Sequence, residues 1–134
     1  VQDGFMGPDW AEVVGEDAER FAANHPLSPV PTPDRVAEGS HGEMRWIHNN
    51  DELKNNYPAL SELITNLHAL PHELNAKAPS HLRLCAAQPS STMLLRLSPG
   101  QSQPTRLDCG PTGHAMDTGY KLSLAYFLEP APKP

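Results

Sequence analysis

The sequence predicts an α+β domain, because its apolar residues follow two different periods. In the first half they recur every three or four residues, which is the spacing of an amphipathic helix. In the second half they alternate with other residues, which is typical of a strand with one buried face. Helices that precede strands favour helices packed on the outside of a mostly antiparallel sheet. The 134 residues suffice for a single domain with one modest core.

The composition limits the partners and the compartment. The net charge of −6 leaves no basic field for a phosphate backbone, so we expect no nucleic-acid partner. The apolar runs are only a few residues long, far short of the ~20 that span a bilayer, so we expect no membrane partner. Cys85 and Cys109 form no CxxC unit and fit reduced thiols, which favours a cytoplasmic protein.

The first helix is predicted over residues 8–24. Pro8 suits the first helical position, and Asp9 favours the positive end of the helix dipole. Pro26 blocks any continuation of the helix. The apolar stripe of this helix consists of Trp10, Val13, Val14, Ala18, Phe21 and Ala22.

A loop, a strand and a second helix are predicted next. Residues 25–41 contain four prolines and are expected to form an exposed loop without regular structure. Residues 43–47 suit a short strand, and the polar residues 48–56 suit a turn or a single helical turn. The second helix is expected to begin near Pro58 and to end by Pro71. Its apolar stripe consists of Leu60, Leu63, Ile64, Leu67 and Leu70.

Three further strands are predicted over residues 82–86, 92–97 and 120–128. The sequence Ser-Pro-Gly at residues 98–100 indicates a turn, and residues 105–108 form a short segment after it. The last strand has one apolar face, and Phe127 lies on the opposite face. The apolar face is formed by Leu122, Leu124, Tyr126 and Leu128.

The seven histidines raise the possibility of a metal site, and His68 and His72 have the spacing of ligands on one helical face. Pro71 interrupts a helix at this point, and neither an HExxH pattern nor paired cysteines accompany them. We therefore expect surface histidines and no zinc site. The sequence also contains no GxSxG, Walker or GxGxxG motif, which excludes the standard hydrolase and nucleotide-binding classes.

One series of segments resembles a known family. The apolar run Met93-Leu94-Leu95-Arg96-Leu97 leads into Ser98-Pro99-Gly100, then comes Arg106-Leu107-Asp108, and the alternating segment 120–128 follows. This order resembles the catalytic domain of the prolyl 4-hydroxylases, of the oxygen-sensing, hypoxia-factor type. In the first half, Val1-Gln2-Asp3-Gly4-Phe5-Met6 and Met44-Arg45-Trp46-Ile47 are similar to the first strand and to the strand before the second helix of that family.

The resemblance implies helices packed on a double-stranded β-helix (a jelly-roll, cupin-like sheet) that binds Fe(II) and 2-oxoglutarate. The iron of that family is bound by a His-X-Asp pair and a later His. Arg106 stands in the position of the first His, and a guanidinium has no lone pair to offer a metal. Asp108 keeps the carboxylate, whereas Ser98 replaces a Tyr that helps to hold 2-oxoglutarate. We therefore expect neither cofactor, and we expect Arg106 to pair with Asp108.

These observations favour a catalytically inactive prolyl-hydroxylase-like domain, here its N-terminal part, that acts as a structural or protein-interaction element of a larger assembly. A protein partner or a further segment of the chain is expected to cover the apolar face of strand 120–128. One alternative is an active dioxygenase completed by sequence beyond Pro134, which would use Asp108 and a later His. There are two further alternatives. In one, the alignment is shifted and His114 is the metal ligand. In the other, the domain is a small-molecule binding module.

Overall fold

A computed structural model of the chain describes residues 6–30, 41–77, 79, 92–102 and 124–128. The described strands form a three-stranded antiparallel sheet in the order β1-β2-β3, which confirms the α+β class. In chain order, the elements are α1 (Pro8–Asn24), β1 (Ser28–Pro29), β2 (Glu43–Ile47), α2 (Asp51–Asn56), α3 (Pro58–Lys77) and β3 (Thr92–Arg96).

Helix α1 has the bounds that its sequence predicts. Pro8 occupies the first helical position, where its missing N–H costs nothing. At the other end, the N–H of His25 donates to the carbonyl of Phe21 at 2.9 Å, and Pro26 follows. The helix buries one stripe against the rest of the domain, formed by Val14, Asp17, Ala18 and Phe21.

Strands β2 and β3 confirm the predictions for residues 43–47 and 92–97, although β3 ends one residue earlier, at Arg96. In their antiparallel register Trp46 lies opposite Met93. After β3 the chain turns, and the N–H of Gln101 donates to the carbonyl of Ser98 at 3.0 Å. The predicted turn at residues 98–100 is therefore confirmed.

The expectation that residues 25–41 lack regular structure is wrong at β1. Ser28 pairs with Met44 and Pro29 with Glu43, and the N–H of Val30 donates to the carbonyl of Gly42 at 3.0 Å. A proline is tolerated here because a strand paired on one side does not need every N–H for its ladder. Residues 31–40 lie outside the described part of the chain.

Helix α3 continues through Pro71 to Lys77, so the prediction that it ends by Pro71 is wrong. An interior proline removes one helical hydrogen bond, here to the carbonyl of Leu67, at a cost of about 3 kcal/mol. Leu74 and Lys77 have high helix propensity, which favours continuation of the helix beyond the proline. The apolar residues of α3 before Pro71 are packed in the core, and this packing offsets part of that cost.

The core lies between the helices and one face of the sheet. Ile64 of α3 and Val14 of α1 are the largest fully buried side chains, and Ile47 of β2 joins them from the sheet. The remaining members of this cluster are Phe21, Leu53, Tyr57, Ala59, Leu60 and Leu63.

The strand prediction for residues 120–128 is wrong for its described part, because residues 124–128 have no strand structure. The alternation still places Tyr126 and Leu128 partly buried against the core, while Phe127 is 85% exposed. Period-two alternation indicates which side chains face the core, whereas a β-strand is defined by the pairing of its backbone with a neighbouring strand. The predicted segments at residues 82–86 and 105–108 lie outside the described part of the chain.

Candidate functional site

The two faces of the sheet differ in what covers them. Ile47 and Leu94 lie on the side that packs against the helices, since Ile47 is buried and Leu94 contacts the core. Side chains alternate along a strand, and residues paired across two antiparallel strands share a face. The opposite side, which we call the outer sheet face, is therefore formed by Met44, Trp46, Met93 and Leu95.

The outer sheet face exposes a tryptophan on the central strand of the sheet. Trp46 is 55% exposed, while its partner across the strands, Met93, is half-buried. Met44 and Leu95 form the neighbouring pair and are also half-buried. This face thus offers one large aromatic ring among three flexible or branched apolar side chains.

The charged residues of β2 and β3 lie on the side that faces the helices. Glu43 pairs with Arg96 in the register, and Arg45 lies on the same side as both. The Arg45 guanidinium donates to the carbonyl of Pro26 at 2.9 Å, and that of Arg96 donates to Glu19 Oε2 at 3.1 Å. These contacts attach the sheet to its neighbouring segments and leave the outer sheet face uncharged.

Ser98 is exposed in the turn that follows β3. Its N–H donates to the side-chain Oε1 of Gln101 at 2.7 Å. Arg106, Asp108, His114 and Leu122 lie outside the described residues, so their expected pairing and the degenerate iron site stay predictions.

The C-terminal stripe, which the sequence assigns to a partner, lies partly against the domain itself. Tyr126 and Leu128 pack on the core, and the carbonyl oxygen of Leu128 lies 3.8 Å from where a Cβ on Gly15 would stand. Leu124 is 45% exposed. Leu124 and Phe127 are therefore the exposed large apolar side chains among the described residues of this segment.

A buried carboxylate that the sequence analysis did not single out joins α1 to α3. Asp17 is only 4% exposed, and its Oδ2 accepts from the N–H groups of Ala59 at 2.8 Å and Leu60 at 3.2 Å. It therefore caps the start of α3 from a different helix. Its other oxygen pairs with Arg20, which also donates to the carbonyl of Asn56 at 3.2 Å.

The signal for Asp17 was present in the sequence. Asp17 lies between Val14 and Phe21, beside Ala18, on the apolar stripe that the helical spacing predicts for α1. A carboxylate on such a stripe is buried and needs hydrogen-bond donors. Its partners lie more than forty positions later in the chain, which no local pattern reveals.

Phe21, His25 and Tyr57 form a small aromatic cluster beside this junction. The Phe21 ring lies 4.4 Å from the His25 ring and 5.4 Å from the Tyr57 ring, measured between centroids. Together with Arg45 and His48 they line a crevice of about 120 Å³. That volume is well below the ~300 Å³ at which small-molecule pockets begin, so the crevice fits solvent better than an organic ligand.

The two histidines with metal-ligand spacing have different surroundings. His68 Nε2 is hydrogen-bonded to Thr92 Oγ1 at 2.9 Å, which ties α3 to β3, and burial lowers the pKa of His68 from its usual 6.5. His72 is exposed. In the described ranges, no group of three or more His, Cys, Asp or Glu side chains is placed to hold a metal ion.

Among the helices of the described ranges, none is long and apolar enough to cross a membrane. Comparisons with protein-family models, with curated proteins and with solved structures give no match for this chain.

Proposed function

We propose that this chain is a non-catalytic interaction domain whose outer sheet face binds another protein. The observation that carries this proposal is Trp46, 55% exposed on the central strand of the sheet, with apolar residues beside it. Tryptophan is among the residues most enriched at the energetic centres of protein interfaces. A large exposed aromatic ring surrounded by apolar side chains is also the kind of surface that a partner covers.

The distribution of charge supports the same function. Arg45 and Arg96 make their contacts on the helix side, so β2 and β3 place no charge on the outer sheet face. The centres of protein interfaces are depleted in charged residues, because an unpaired charge is costly to bury. A partner can therefore cover Trp46 without leaving an uncompensated charge.

The resemblance to the prolyl 4-hydroxylases supplies the finer part of the proposal. The sheet belongs to a partial double-stranded β-helix, and the domain has lost iron and 2-oxoglutarate binding through Arg106 and Ser98. It then serves as a cytoplasmic structural or interaction subunit of a larger assembly. The antiparallel sheet with helices on one face is compatible with this arrangement.

The interaction is tested by crosslinking followed by reconstitution. A photo-crosslinking amino acid is placed at position 46 of the full chain in cells, and a control is placed at the exposed Lys54 of α2. We expect a protein that crosslinks from position 46 and not from position 54. Its purified form should bind the Trp46→Ser variant about tenfold more weakly than the native chain, as expected for a hot-spot residue. Equal binding of both chains would refute the proposal.

The loss of catalysis is tested separately. Calorimetry of the full chain with Fe(II) and 2-oxoglutarate under anaerobic conditions should show no saturable binding of either. Stoichiometric, micromolar binding of both would instead support the active dioxygenase. That result would leave the crosslinking experiment to decide the interaction alone.

A further inference from the structure

A second candidate surface lies on α3, on the side of this helix that faces away from the strands. It is a groove of about 560 Å³ between the start of α1 and the part of α3 from Glu62 to Glu73. Its α3 side is lined by residues 62, 66, 69, 70 and 73, whose spacing places them on one helical face. From Glu62 to Glu73 this face is about 16 Å long at 1.5 Å per residue.

The apolar part of the groove is held together by polar contacts. The indole Nε1–H of Trp10 donates to the sulfur of Met6, and the side-chain amide of Asn66 donates to the same sulfur. Met6, Trp10, Asn66 and Leu70 are all half-buried. Methionine and tryptophan are well suited to contacts with varied apolar side chains. These hydrogen bonds to Met6 hold Trp10 and Asn66 in place, so the groove is a preorganised surface.

The charged part of the groove is acidic. Glu62 and Glu73 are exposed near its two ends, and no Lys or Arg is among the described residues that line it. In the part of the chain that the structure describes, neither carboxylate takes part in an ion pair. An occupant that matches this surface has an apolar body and positive charge toward both ends.

We propose that this groove binds a basic amphipathic peptide segment of a partner protein. A Lys or Arg of that segment lies near each of Glu62 and Glu73, and its apolar side chains pack against Trp10 and Leu70. The elongated shape fits a short helix laid along α3, which is a common mode of peptide recognition. Residues 1–5 of this chain carry Asp3 as their one charged side chain, so they do not match the charge of the groove. This inference does not depend on the outer sheet face.

The probe is a fluorescent synthetic helix of Leu, Ala and Lys that carries two lysines at the spacing of Glu62 and Glu73. Its control has glutamates in their place. We expect the full chain to bind the lysine peptide and not the glutamate peptide, and the Trp10 indole N–H resonance to shift on binding. The double change Glu62→Gln with Glu73→Gln should weaken binding about fivefold, the combined effect of two partly exposed ion pairs.

A matched control separates the groove from overall charge. Glu12→Gln with Glu16→Gln removes the same charge from exposed positions on α1 and should leave the affinity unchanged. Leu70→Gln should weaken binding while both carboxylates remain. Equal weakening by the two double variants, or unchanged binding by Leu70→Gln, would overturn the proposal. Self-association through the groove, or a large gain in affinity on removing residues 1–5, would identify another occupant and would also overturn it.

Discussion

On the side of the sheet that faces the helices, both arginines have partners within the chain, whereas the outer sheet face carries apolar side chains and no charge. Arg45 and Arg96 are bonded to Pro26 and Glu19, and Asp17 is bonded to the start of α3. Trp46 on the other face is more than half exposed. The difference indicates that stability is concentrated on the helix side and that the outer sheet face is available for recognition.

The sharpest test of this comparison sets Ile64→Ala against Trp46→Ala. Ile64 is fully buried, so its truncation leaves a cavity and should cost about 3 kcal/mol of unfolding free energy. Trp46 is the larger side chain but is mostly in water, so its loss should cost less than about 1 kcal/mol. Urea unfolding of both variants measures this. A larger loss for Trp46→Ala would mean that the outer sheet face is part of the core.

The next effect concerns the buried carboxylate on the helix side. Asp17→Ala removes the acceptor of the Ala59 and Leu60 N–H groups and should cost about 2–3 kcal/mol, since these donors lose their partner in a buried site. Asp17→Asn keeps an oxygen at the same place and should lose less. The control is Glu16→Ala, one residue away and exposed, with a change within about 0.5 kcal/mol. Similar losses for the alanine variants at 16 and 17 would contradict the capping role.

A pair of glycines tests how closely β2 approaches the end of β3. Gly42 and Gly100 both have positive φ, at 88° and 85°. A Cβ on Gly42 would clash with the carbonyl oxygen of Arg96 and lie 2.7 Å from Leu97 Cδ2, whereas a Cβ on Gly100 would meet nothing within 4 Å. Gly100→Ala should therefore lower the unfolding free energy by about 1 kcal/mol, through the strain of alanine at positive φ alone. Gly42→Ala adds a steric clash and should lower it by about 2 kcal/mol or more. Equal thermal melts for the two variants would show that β2 can shift away from β3.

The elements that depend on local pattern were predictable from the sequence. Helix α1 was predicted at its bounds because Pro8, the apolar stripe and Pro26 are all local signals. Strand β2 was predicted at its bounds as well. Helix α3 was predicted too short. A proline in a sequence usually indicates the end of a helix, but Pro71 only destabilises α3, because the residues before it are packed in the core.

The features that depend on distant contacts were not predictable. The two-residue β1 exists only because β2 lies beside it. Asp17 finds its partners at the start of another helix, and Tyr126 packs on the core without joining a strand ladder. The outer sheet face likewise appears only once the register of β2 and β3 is known. The degenerate iron site at Arg106 and Asp108 stays a prediction.

The smallest expected effect is a pH dependence at the contact between α3 and β3. Burial lowers the pKa of His68 below the 6.5 of the unfolded chain, so the unfolded state binds a proton more readily than the folded state. The stability that neutral His68 contributes is therefore present above about pH 6.5 and is lost as the pH falls toward the folded pKa. His68→Gln can keep a hydrogen bond to Thr92 without titrating, so it should reduce the fall in unfolding free energy between about pH 7.5 and 5.5. His72→Gln, at an exposed position of the same helix, should leave that fall unchanged. If the two variants reduce it equally, protonation of His68 does not weaken the contact between α3 and the sheet.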